Sequence, residues 1–109
     1  MFVISSDPTV VRISNHGLMT AQFRVRGGGH ETGLSSDFTA GRDCNYKWSE
    51  LVDAGFKTGD DCWVSVDCKG GKTNHESGDN FRFYTERAAY TLTGGIWDPS
   101  FSLRKPEDL

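Results

Sequence analysis

Between residues 18 and 26 the side chains alternate in character. Met19, Ala21, Phe23 and Val25 fall on one face, and Thr20, Gln22, Arg24 and Arg26 on the other. A period of two marks a strand with one buried face. Residues 61–68 repeat the pattern, with Cys62, Val64, Val66 and Cys68 facing a core and Trp63, Ser65 and Asp67 facing outward. Val10, Val11 and Ile13 make an earlier strand, and Asn15-His16-Gly17 predicts a tight hairpin joining it to the strand that starts at Leu18. Residues 34–40 read as a short strand, and Cys44, Tyr46 and Trp48 as one face of another. Residues 81–85 and 88–93 read as a hairpin turning at Glu86-Arg87. Only residues 49–56 are helix-like, a single turn with Ser49 as cap and Gly55 as stop.

The breaks between these runs complete the outline. Gly27-Gly28-Gly29 halts a strand and opens a loop to about Gly33; lacking both GxGxxG and GxxxxGK[ST] spacing, it reads as a turn rather than a phosphate cradle. Residues 69–80 are polar and glycine-bearing, the longest expected loop. Short strands at this spacing predict an all-β fold, an antiparallel two-sheet β-sandwich of six to eight strands. Its expected core holds Phe23, Val25, Tyr46, Val64, Val66, Phe83, Tyr90 and Leu92. Residues 1–109 form a single domain, with frayed ends at 1–8 and 104–109.

Composition narrows the function classes. A chain of 109 residues has room for one core, and 36% hydrophobic with 25% charged residues is the make-up of a folded protein. A net charge of -3 with 12 scattered Lys and Arg argues against nucleic acid, and on the same grounds against strongly anionic lipid. No apolar run approaches the roughly 18 residues of a transmembrane segment. The Met1-Phe2-Val3-Ile4 start is too short for a signal peptide, so the expected location is cytoplasmic, or outside after release without one. Cys62 and Cys68, six residues apart on one strand, are too distant to pair; only Cys44 has that option with either, and free thiols are expected.

Candidate chemistry is sparse. His16, His30 and His75 fall in turns and loops, and Cys68 with His75 lacks the second close pair of a zinc site. No catalytic signature, metal or cofactor is expected, and the chain reads as a binding module rather than an enzyme. Asn74, His75, Glu76, Asp79 and Asn80 are side chains of the kind that hydrogen-bond sugar hydroxyls or ligate calcium through oxygen, and a plain solvated loop has the same composition. Ile96 and Trp97, between Gly95 and Asp98-Pro99, make an apolar loop tip: an anchor for a sugar face, a lipid headgroup or a partner, or else a lid on the core.

Three stretches in order carry a family likeness: residues 12–25, residues 63–68 ending in Asp67-Cys68, and residues 90–99 with Gly94, Ile96-Trp97 and Asp98-Pro99. Together they resemble the C-terminal, membrane-recognising β-sandwich of the thiol-activated, cholesterol-dependent cytolysins, without the pore-forming domains. The resemblance implies that the loop after Cys68 and the loop after Gly94 are neighbours at a ligand-facing end. Here the polar residues 69–80 stand in place of that family's tryptophan-rich loop, and Ile96-Trp97 in place of its Thr-Leu pair, which moves the expected ligand from sterol toward a glycan or glycolipid. Two alternatives follow from the same residues: a toxin-like or defence protein that inserts the Ile96-Trp97 tip into a membrane surface, and a module that pairs with a partner through an edge strand.

Overall fold

The alternating segments become strands, and what their pattern left open is which strand lies beside which. The computed structural model describes residues 7–107 and 109. In chain order the elements are β1 (Thr9–Asn15), β2 (Ala21–Gly27), β3 (His30–Glu31), β4 (Asp43–Lys47), α1 (Trp48–Asp53), β5 (Asp61–Cys68), β6 (His75–Glu76), β7 (Phe81–Arg82), β8 (Ala88–Thr93) and β9 (Ser100–Arg104). The chain is thus all-β apart from one short helix. Against the six to eight strands expected, there are nine among the described residues, and β3, β6 and β7 are only two residues long.

The strands form two sheets. The first has the order β4-β1-β8-β9; the second has β3-β2-β5-β6, with β7 also along β5. The inward faces of both sheets feed one cluster, with Val11, Ile13, Tyr46, Tyr90 and Leu92 from the first and Phe23, Val25, Val64 and Val66 from the second. Phe23 meets Tyr46 edge-on at 5.0 Å between ring centroids. All eight residues expected in the core are buried, each large one adding about 1.5–3 kcal/mol by leaving water.

Two expected hairpins are crossings between sheets instead. At Asn15-His16-Gly17 the chain leaves β1 in the first sheet and arches over to β2 in the second. A two-residue type I′ hairpin needs positive φ at both central residues, and none of these three has it. Buried Asn15 fixes the arch: its amide donates to the Met19 carbonyl at 2.9 Å and the Phe38 carbonyl at 3.1 Å, and its Oδ1 accepts the Gly17 N–H at 3.0 Å. The tight hairpin lies at Gly28-Gly29, both at positive φ, turning β2 into β3. Likewise β7 pairs with β5 in the second sheet while β8 joins the first, because Phe83 turns inward and bonds Asp60 and Gly59. The first arch leaves the first sheet at the C-terminal end of β1 and the second enters it at the N-terminal end of β8, and β1 and β8 pair in parallel, a departure from the all-antiparallel expectation.

Smaller corrections follow. Residues 34–40 form no strand, only a bridge from Phe38 to Ala21. The stretch 69–80 contains β6, which returns along β5. Ser65 is 1% exposed, not outward-facing to water, because it stands in register between Arg24 and Glu76 whose long side chains cover it. The helix starts one residue before Ser49, with Lys47 at its cap position and Glu50 accepting the Lys47 N–H at 3.0 Å; Trp48 therefore lies on the helix, not on a strand face. Of the ends expected to fray, Asp7 accepts the Ser49 N–H at 2.9 Å and Lys105 pairs with Glu86 at 3.2 Å, while residues 1–6 and 108 lie outside the described residues. All three cysteines are free thiols. Burial, with Asp60 nearby, pushes the Cys62 thiol up to about 12.

Candidate functional site

Three connections meet where β1, β5 and β8 end. The first is the arch after Asn15, whose Leu18 N–H donates to the Gly94 carbonyl at 3.0 Å. The second is the turn after Cys68, where Lys69 donates to the Thr20 carbonyl at 2.9 Å and Lys72 to the Ile96 carbonyl at 2.7 Å. The third is the turn from Gly94 to Pro99, closed by Asp98 accepting the Gly95 N–H at 3.1 Å. These backbone bonds lock the turns to one another, and glycines permit the contact: a Cβ on Gly71 would collide with Ile96, and one on Gly17 would sit 2.6 Å from the Met19 methyl. Beneath them Cys68 donates its thiol hydrogen to the Met19 sulfur at 3.4 Å.

What this frame holds up is apolar. Leu18 is 86% exposed and Trp97 is 70% exposed, while Ile96 folds back against the core. The two readings of the Ile96-Trp97 tip thus divide between its residues, with Ile96 as lid and Trp97 as the displayed side chain. Lys69, ion-paired to Asp37 at 2.6 Å, and exposed Lys72 border the tip. Leu18 was not among the expected site residues, because the strand pattern absorbed it. The available signal was its place in a turn, next to a glycine and one residue before the alternation begins.

The polar residues expected to share this end are spread along the second sheet's edge. Asn74 is nearest the tip, at φ 51°, with its N–H given to Asp67 at 2.7 Å and its side-chain oxygen accepting Arg26 at 3.2 Å. Glu76 lies over the outer face of the sheet, where both carboxylate oxygens accept Arg26 at 3.1 Å and one accepts the Trp63 indole N–H at 2.9 Å. Partial burial works against its charge, but the Ser65 hydroxyl, the indole and the guanidinium outweigh it, and the carboxyl is held below its ordinary value. The Ser65 hydroxyl is close enough to favour that charge without forming a well-aligned hydrogen bond.

His75 points the other way and stacks on Phe101, with centroids 5.8 Å apart and planes at 11°, joining the edges of the two sheets. Asp79 and Asn80 stand farther off, beside Leu103 and Lys105 around a hollow of about 490 Å³, and the Asp79 carbonyl accepts the Tyr90 hydroxyl at 2.6 Å. Of the seven expected residues, then, Ile96 and Trp97 form the tip, Asn74 approaches it, and His75, Glu76, Asp79 and Asn80 do not.

Elsewhere, a cleft of about 620 Å³ opens between β3 and α1, with Glu31, Glu50 and Asp53 at its rim and Tyr46 in its wall. The Tyr46 hydroxyl is engaged by the Phe23 and Gly33 carbonyls, and Glu50 by the helix cap. Among the described residues no three His, Cys, Asp or Glu side chains gather where a metal ion would sit, and no helix is long and apolar enough to cross a membrane. Compared with known proteins, the chain matches no family model and no curated sequence.

Proposed function

We propose that the chain is a non-enzymatic binding module that settles on lipid surfaces through the Leu18 and Trp97 tip, with its two sheets stacked as a sandwich behind. One observation carries this reading: the two most exposed large apolar side chains among the described residues stand on turns bonded to each other. An indole beside an aliphatic side chain suits the headgroup boundary, where the ring is dry and its N–H remains wet. A sugar stacked on Trp97 would need polar side chains around it; Asn74, His75 and Glu76 are engaged by Arg26, Asp67 and Phe101, which favours lipid over glycan at this end. The resemblance to the cytolysin domain points to the Trp97 loop, and to the turn after Cys68 whose Lys72 is bonded to it.

Burial of each tip side chain contributes about 1.5–3 kcal/mol. The pair together then reaches only about 4 kcal/mol, the millimolar range. Firm attachment requires several copies or a second contact. With a net charge of -3 the surface sought is zwitterionic rather than anionic. Co-sedimentation with phosphatidylcholine vesicles, with and without sterol, tests the proposal. The expected result is weak binding that falls in Leu18→Ala and again in Trp97→Ala; vesicle binding equal in wild type and both variants, or none in wild type at any lipid concentration, overturns it.

A further inference from the structure

The opposite end of the molecule displays a second aromatic group whose backbone is unfavourable for the residue that occupies it. Tyr84 has φ 75° and is 61% exposed. A left-handed backbone costs a bulky residue on the order of 1–2 kcal/mol that Gly or Asn would largely avoid. The loop requires the conformation and not the ring. Arg82 and Glu86 clamp it, with the Arg82 N–H on the Glu86 carboxylate at 2.8 Å and the Glu86 N–H on the Arg82 carbonyl at 3.0 Å, while Phe83 is drawn into the core. The apex at residue 84 is bent by those contacts whatever its side chain.

The ring has neighbours on the protein and open space beside it. Trp48, at the start of α1, stands 5.9 Å from Tyr84 between centroids with planes at 48°, and Phe83 stands 6.3 Å away. Tyr84 also forms one wall of a groove of about 450 Å³ whose other walls include Thr85, Glu86, Arg87, Lys105 and Glu107. An exposed, buttressed ring along a groove otherwise rich in hydroxyl, carboxylate and cationic groups is a combination that few ligand classes match. A lipid chain finds too little apolar wall. A carbohydrate offers an apolar ring face for the aromatic and hydroxyls for both donors and acceptors.

We propose that this end carries a carbohydrate-binding site, in which a pyranose ring stacks on Tyr84 and its hydroxyls meet Thr85, Arg87 and Glu107, which line the same groove beside the Glu86–Lys105 pair. The Arg82-to-Glu86 clamp holds the apex in place, Trp48 backs the ring, and Glu86 is fixed on its other side by Lys105 at 3.2 Å. The site is independent of the lipid-facing tip, so one molecule has a binding surface at each end.

The test is a printed array of neutral and acidic oligosaccharides, with titration calorimetry on those retained, using the full chain and the variants Tyr84→Asn, Arg87→Gln and Trp97→Ala. Asn accepts positive φ, so Tyr84→Asn is expected to keep or raise the melting temperature while weakening binding by roughly tenfold or more. Arg87→Gln, which leaves the apex alone, is expected to weaken it also, and Trp97→Ala to bind as wild type. Retention of no oligosaccharide by wild type overturns the proposal. So does undiminished binding by Tyr84→Asn, or a loss confined to Trp97→Ala, which places the sugar at the tip. A melting temperature lowered by Tyr84→Asn together with normal binding by Arg87→Gln makes the ring structural and overturns it as well.

Discussion

The two ends of this molecule both hold apolar side chains out to water, and they do so by different physical means. At the Leu18 and Trp97 end three turns are bonded to one another through Leu18, Lys72 and Lys69 N–H groups, so the frame is shared and the displayed side chains are incidental to it. At the Tyr84 end a single loop is bent by the inward pull of Phe83 and the Arg82-Glu86 clamp, and the displayed residue itself occupies the unfavourable backbone. Exposure alone would rank the two ends together. Their backbones separate a frame that is stable by cooperation from an apex held by its neighbours.

The largest expected effect comes from breaking the shared frame. Asn15→Ala leaves the Met19 carbonyl and the Gly17 N–H without their partner in a dry site, and the Phe38 carbonyl with the Ala21 N–H alone. The expected loss is about 3 kcal/mol or more, since each orphaned buried group costs on the order of 1–3 kcal/mol. Urea denaturation measures it, and a loss below about 1 kcal/mol would mean that the arch is held by other contacts.

A second prediction uses β5, which runs from one end to the other with a buried thiol at each extremity, Cys62 and Cys68. Burial raises both, Cys62 to about 12 from an ordinary value of 9.0. A thiol raised on folding contributes stability that is fully present below the unfolded value and is lost as pH climbs toward the folded one. Stability is therefore expected to fall between about pH 9 and pH 12, and Cys62→Ala to flatten that fall while Cys68→Ala flattens it less. Denaturant midpoints taken across this range decide it; equal slopes in wild type and Cys62→Ala would show that the thiol is not sequestered in the way described.

The smallest expected change is on stability at the tip. Leu18→Ala and Trp97→Ala should each stay within about 0.5 kcal/mol of wild type, as surface substitutions do. A loss of several kcal/mol for Trp97→Ala would mean that the indole closes the core and would erase the contrast between frame and display.

Much of this architecture was legible in the sequence because burial follows a period of two. Met19, Phe23 and Val25, and then Cys62, Val64 and Val66, declare their faces without any knowledge of neighbours, and all are buried. Partnership was not legible. Whether Asn15-His16-Gly17 folds a hairpin or an arch depends on backbone angles that the same three residues satisfy either way, and the hydrogen bonds that decide it come from Phe38 and Arg42, more than twenty residues on. The candidate site divided along the same line. Trp97 could be placed in a loop tip from its position between glycine and proline, with display and lid both open, whereas the dispersal of Glu76, His75 and Asp79 depended on β6 pairing with β5, two residues too few to leave a pattern.

The parallel pairing of β1 with β8 sets residue 11 beside residue 88 and residue 15 beside residue 92. No short-range contact can stand in for it, because β1 otherwise touches only β4 within its sheet. The first sheet cannot be completed during synthesis until the last strands have left the ribosome, and the chain must close its longest loops before those contacts reward it. Until then the apolar face of β2 and β5 waits uncovered. Such a topology places the domain among the slow folders, with relaxation in milliseconds to seconds and with aggregation, rather than unfolding, as its hazard during expression.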